Sequence, residues 1–90
     1  MPIPESLAAR RRGLRLSQRA AAERAGITQT HLSKIERGAL DPRLSTVLEV
    51  ARAATSELVL VPAELLPAVR AILEHASNAD ERLLFSAEPD

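Results

Sequence analysis

The sequence predicts a mainly α protein: a bundle of four short helices, then one short β-strand paired between two copies, then a last helix. Three observations carry this reading. The composition favours helix, being rich in Ala, Leu, Arg and Glu with three glycines and 1% aromatic residues. The stretch Ser17 to Gly38, SQRAAAERAGITQTHLSKIERG, has the punctuation of two short helices joined by a tight turn. Residues 57–61, ELVLV, form an apolar run without polar alternation, unlike the rest of the chain.

Met1 to Pro4 is expected as a loose arm, with Pro4 in the first turn of a helix that ends near Gly13. Leu7, Ala8 and Arg11 share one side of that helix, and Leu14 and Leu16 read as core plugs. Ser17 caps the next helix, because its hydroxyl accepts from a free N–H of the first turn. Gly26 supplies the left-handed residue that ends it. Thr28 caps a further helix to about Arg37, and Gly38 stops it. Ala22 gives close approach between the two. Ile27, Leu32 and Ile35 form an apolar stripe, and the opposite face carries Gln29, Thr30, Ser33, Lys34 and Arg37. Such donors and acceptors suit base edges and phosphates.

Residues 39–43, ALDPR, read as a loop before a fourth helix from about Leu44 to Ala54, with Leu44, Val47, Leu48, Ala51 and Ala54 as its apolar stripe. Thr46 and Glu49 have capping-box spacing and offer a later start. A lone strand leaves its backbone groups unpaired, so ELVLV is expected to pair antiparallel with the same strand of a second copy, with Leu58, Val59, Leu60 and Val61 at the dimer interface. The alternative is a helical turn leading into an apolar linker. Pro67 opens a helix to about Ala76, whose apolar face is Leu65, Leu66, Val69, Ile72, Leu73 and Ala76. Asn78 to Asp90 reads as an acidic tail containing Leu83, Leu84 and Phe85, either frayed or a partner-binding peptide.

The formal net charge is zero, but it is unevenly placed. Residues 1–55 hold ten basic and five acidic side chains, and residues 56–90 hold two basic and seven acidic ones, so the halves carry +5 and −5. That asymmetry fits a basic nucleic-acid-binding domain, 1–55, and an acidic dimerisation region, 56–90. Two well-solvated faces would fit it equally. There is no Cys, so disulfides and thiolate zinc sites are excluded. His31 and His75 have no matching carboxylate set, and no glycine-rich phosphate loop is present, so neither an enzyme nor a metal or cofactor site is expected. The longest apolar run is far too short to span a bilayer and no secretory signal is visible; the expected location is the cytoplasm.

Gln18, Ala22, Gly26, Ile27, Leu32, Ser33, Ile35, Glu36, Arg37 and Gly38 resemble the helix-turn-helix of the Cro/C1, or XRE-like, repressor family. The resemblance covers about residues 5 to 55 and departs at Ala21, where the family usually has Leu. It implies a lambda-repressor-like helix-turn-helix bundle whose second motif helix enters the major groove of double-stranded DNA. Gln18 is then expected at a phosphate, with Arg19 beside it. Gln29 is the first choice for reading a base, since its amide bonds adenine N6 and N7 together. Thr30, Ser33 and Lys34 follow along the groove, Arg37 and Arg43 hold phosphates at its edge, and Thr28 completes the expected DNA-binding set. The resemblance also implies that Arg11 pairs with Glu36, because an unpaired acid in that helix would repel phosphate.

The fourth helix ending in ARAA, followed by SELVLVP, is similar to the HipB-like antitoxin branch. That implies a homodimeric, sequence-specific transcriptional repressor on a palindromic operator, with half-sites ~34–36 Å apart, autoregulating an operon that encodes a HipA-like kinase toxin. The competing reading is a protein-interaction module, toxin-neutralising or adaptor, with little DNA binding.

Overall fold

The computed structural model describes the backbone of residues 2–86 and the side-chain surroundings of residues 2–76. Five α-helices are present: α1 (Ile3–Gly13), α2 (Gln18–Ala25), α3 (Gln29–Glu36), α4 (Leu44–Ala53) and α5 (Leu66–Ser86), with a 3-10 turn at Ala63–Leu65. The chain divides into two compact units, Met1–Leu58 and Val59–Asp90.

The first unit is the expected four-helix bundle. Leu7 from α1, Ala21 and Ala22 from α2, Leu32 and Ile35 from α3, and Val47, Val50 and Ala51 from α4 form one core. Leu32 is fully buried. Alanines at 21 and 22 let α2 approach its neighbours closely, and α2 packs on both α3 and α4. Ala21 itself is buried, so the departure from the family's Leu leaves a small residue in the core and no exposed gap at that position. Leu16, Ala25, Ile27, Leu40 and Leu58 pack around this centre.

All four helices of this unit end in the same way. The N–H just after a left-handed residue returns to the carbonyl five residues back, as in Leu16 to Arg11 (3.1 Å), Ile27 to Ala22 (3.0 Å), Ala39 to Lys34 (2.9 Å) and Ser56 to Ala51 (2.8 Å). This closure needs a left-handed residue. Gly26 (φ 72°) and Gly38 (φ 69°) supply it at no steric cost, whereas Arg15 (φ 56°) and Thr55 (φ 51°) supply it against a penalty of ~1–2 kcal/mol each. Ser17 and Thr28 cap α2 and α3 as expected, accepting from Ala20 N–H (3.0 Å) and His31 N–H (3.1 Å).

Several expectations need correction. α1 starts at Ile3, one residue before Pro4, because Pro2 and Pro4 both tolerate a helix start where N–H groups have no partner. Leu14 is exposed; it sits at the cap of α1 and only Leu16 turns inward. Leu44 is exposed at the start of α4, and Val50 takes the core position instead. The Thr46 start is not used, since α4 begins at Leu44 without a side-chain cap.

No strand is present among the described residues. Residues 56–62 have no regular secondary structure, and 57–61 take part in no backbone ladder within this chain. The run is apolar enough for a strand, but a strand requires a second set of donors and acceptors, which the chain does not offer itself. Leu58 departs from the expected interface: it packs against the core of its own unit. Val59 and Leu60 are exposed, Leu60 almost completely at 97%. In the second unit, α5 runs to Ser86, beyond the expected end at Ala76, so most of the expected tail is helical. Residues 87–90, and the side chains of Leu83, Leu84 and Phe85, lie outside the described residues. Leu65, Ile72 and Leu73 of the expected apolar face are exposed.

Substituting Leu32→Ala should lower the free energy of unfolding by about 2–5 kcal/mol in chemical denaturation, the cost of a cavity at a fully buried core position. A loss below ~1 kcal/mol would mean that α3 is not fixed by this core.

Candidate nucleic-acid interface

Two short helices meet across the left-handed turn at Gly26, and the outer face of the second is polar. Gln29 and Thr30 are exposed in the first turn of α3, and Ser33 is half-buried one turn on. With Gln18 and Arg37 they line a shallow concavity of about 360 Å³. At ~1.5 Å per residue, the eight residues of α3 span roughly 12 Å. Its diameter with side chains, ~10–12 Å, fits the major groove of DNA, which is about 12 Å wide.

A buried carboxylate holds this face in place. Arg11 grips Glu36 with both arms of its guanidinium: Nε donates to Oε2 at 2.7 Å and Nη2 to Oε1 at 2.9 Å. The remaining arm, Nη1, donates to Leu16 O at 2.9 Å. Gln18 Nε2 donates to Glu36 Oε1 at 3.0 Å. The two charged side chains are only 11% and 4% exposed. Burial acts to raise the Glu36 pKa, but hydrogen bonds from Arg11 and Gln18, with the charges of Arg11 and Arg12, outweigh it, and the carboxyl is held below its ordinary value. One acidic side chain thereby joins α1, the N-terminus of α2 and the C-terminal turn of α3.

The pair also changes the reading of Gln18. Its amide is half-buried and one N–H is committed to Glu36. The second N–H of the amide and the N-terminal backbone of α2 are what remain for an anion.

The other expected residues are placed as follows. Arg19, Lys34 and Arg43 are exposed but do not line the concavity, and Arg43 precedes α4 without capping it. Thr28 uses its hydroxyl oxygen to cap α3, which leaves only the hydroxyl proton to offer outward. Arg37 does line the concavity, and its Nε donates to Ser33 O at 3.4 Å. His31 is half-buried.

Sequence reasoning missed Arg10. Its Nε donates to Ala54 O at 3.2 Å and its Nη2 to Thr55 Oγ1 at 3.1 Å, tying α1 to the closing turn of α4. Two arginines of the run at positions 10–12 are thus engaged within the unit, Arg11 against a carboxylate and Arg10 against neutral acceptors that leave its charge uncompensated. The left-handed Thr55 gave no signal in the sequence that a partner was needed there.

A capped pair of helices crossing at a glycine turn, with an apolar inner stripe and a polar outer face, is a helix-turn-helix. Residues 7–55 match the family model described as Helix-turn-helix, and the chain belongs to this family, of Cro/C1 (XRE) type. It is also similar to the uncharacterized HTH-type transcriptional regulator y4dL of Sinorhizobium fredii (strain NBRC 101917 / NGR234), 44% identical over 81 residues. That alignment covers 90% of this chain and 41% of the relative, so the chain spans less than half of the relative's length. No described helix is long and apolar enough to cross a membrane, and the described residues contain no cluster of side chains able to hold a metal.

The depressed Glu36 carboxyl predicts a pH dependence. A carboxylate with a lowered folded pKa adds stability above its unfolded value, near 4.5, and loses it as pH falls through the lower folded value. The stability gap between wild type and Glu36→Gln should be largest near pH ~7 and should shrink steadily below pH ~4.5. Denaturant titration at several pH values checks this. A gap unchanged by acid would mean that the charge of Glu36 contributes nothing.

Proposed function

We propose that this protein is a transcriptional repressor that binds double-stranded DNA sequence-specifically as a homodimer on a palindromic operator. The observation that carries the reading is the concave polar face of Gln18, Gln29, Thr30, Ser33 and Arg37, fixed to the core through Glu36. Family membership and the printed name of the Sinorhizobium relative support it. In this reading α3 lies in the major groove and α2 rests across the backbone. Gln29 reads an adenine through its amide, and Thr30 and Ser33 contact neighbouring bases. Arg19, Lys34 and Arg43 meet phosphates beside the N-terminus of α2, where Gln18 offers its remaining N–H.

Dimerisation is supported by the second unit. Val59, Leu60, Leu65, Ile72 and Leu73 are large apolar side chains left exposed in one chain. The backbone at 57–61, which makes no ladder within the chain, has donors and acceptors that an antiparallel copy would satisfy. With Leu58 turned into its own unit, the pairing surface reduces to Val59, Leu60 and Val61. The HipB-like reading, in which the protein also neutralises a HipA-like kinase toxin, rests on the SELVLVP segment and the acidic second half. The gene beside this one tests it: a kinase-toxin gene there supports an antitoxin, and its absence favours a stand-alone repressor.

Selection of duplexes from a random pool, with Gln29→Ala in parallel, tests the DNA reading. Wild type should enrich a two-fold symmetric site, and the variant should lose preference at one base pair per half-site at a cost of about 1–3 kcal/mol. Equal weakening on every sequence would remove Gln29 as a base reader. Leu60→Lys should convert a dimer to a monomer in sedimentation at micromolar concentration. A dimeric variant would rule out pairing through this segment.

A further inference from the structure

Resting on the DNA reading above, we propose that Arg37 reads a guanine in the major groove, in place of the phosphate contact its position at the end of α3 implies. Three observations lead there. Arg37 lines the same concavity as Gln29, Thr30 and Ser33, whereas the exposed Arg19, Lys34 and Arg43 do not. Its Nε donates back to Ser33 O, so the side chain lies along α3 toward the helix start. It pairs with no carboxylate among the described residues, where the acids near arginines are taken by Arg11 and Arg52.

The chemistry follows from that posture. With Nε turned to the helix, the two terminal nitrogens remain as a planar pair of donors. A pair of parallel donors matches O6 and N7 of guanine, the commonest specific contact in the major groove. A phosphate contact asks only for positive charge, which an extended arginine or a lysine would provide from the rim. Each half-site should therefore hold a guanine in addition to the adenine read by Gln29.

The test is random-pool selection and salt-dependent affinity for wild type, Arg37→Lys and Arg37→Gln. Arg37 is exposed and outside the core, so both variants should fold; thermal melts confirm it. The expected result is a guanine in each wild-type half-site, with preference for it falling about 10- to 100-fold in both variants. Arg37→Lys keeps the charge, so loss of preference with an unchanged salt slope is specific to base reading. The adenine preference assigned to Gln29 should survive in both. If Arg37→Lys matches wild type and Arg37→Gln weakens all sequences alike, with a salt slope lower by about one, Arg37 holds a phosphate and the proposal is overturned while the repressor reading stands. If wild type enriches no site, the repressor reading fails and takes the proposal with it.

Discussion

The buried carboxylate of Glu36 is the constraint on which the rest of the first unit depends. An acid buried in the helix proposed to face DNA is costly twice over, once for leaving water and once for repelling phosphate. Here both costs are met by the same two side chains. Arg11 supplies a bidentate charge-assisted contact and Gln18 a third donor, so the charge is neutralised and every arm of the arginine is used. Because the three residues sit on three helices, satisfying the charge also sets the helix positions. Removing one partner of such a pair strands the other, which is why the geometry is strongly specified even where its net contribution to stability is modest. Gln18 links this internal requirement to the outer surface, since the amide that satisfies Glu36 also borders the concavity.

Much of this unit was legible in the sequence because its local signals are single residues with one physical meaning. Ser17 and Thr28 can do little at a helix start except cap it, and Gly26 and Gly38 fit left-handed turns that other residues resist. The ends of α1 near Gly13 and of α4 near Ala54 were also expected, but their left-handed closing residues were not legible, because Arg15 and Thr55 adopt that conformation without being glycine. Tertiary context holds them there. Arg10 bonds the Thr55 hydroxyl and Arg11 bonds the Leu16 carbonyl just after Arg15, contacts between residues far apart in one case and near in the other. Two arginines of the run at positions 10–12 thus act as turn clamps, a role that the expected Arg11–Glu36 pairing did not include. Leu14 and Leu44 were misplaced for a related reason: each lies at a helix boundary, where the periodicity that assigns a face has only just ended or begun.

The second unit shows where a single chain stops being informative. The ELVLV segment has the composition of a strand, yet a strand exists only when a neighbour accepts its hydrogen bonds. The chain presents the segment without regular structure, with Leu58 packed on the core of its own unit and Val59 and Leu60 exposed. In α5, Ile72 and Leu73 are exposed, and its length exceeded the expectation because helix continues through the polar stretch after Ala76. Of the candidate site, the face was legible from helical spacing alone. The concavity was not, since it depends on Arg37 folding back along α3 and on Gln18 being drawn toward Glu36.

The most direct measurement of the central claim is a double-mutant cycle on Arg11→Ala and Glu36→Ala, read as unfolding free energy near neutral pH. If the pair fixes the three helices, each single variant strands a charge and the double variant removes the liability, so the coupling should reach at least about 2 kcal/mol. Losses that add to within ~0.5 kcal/mol would contradict the account, because Arg11 and Glu36 would then be acting as independent side chains.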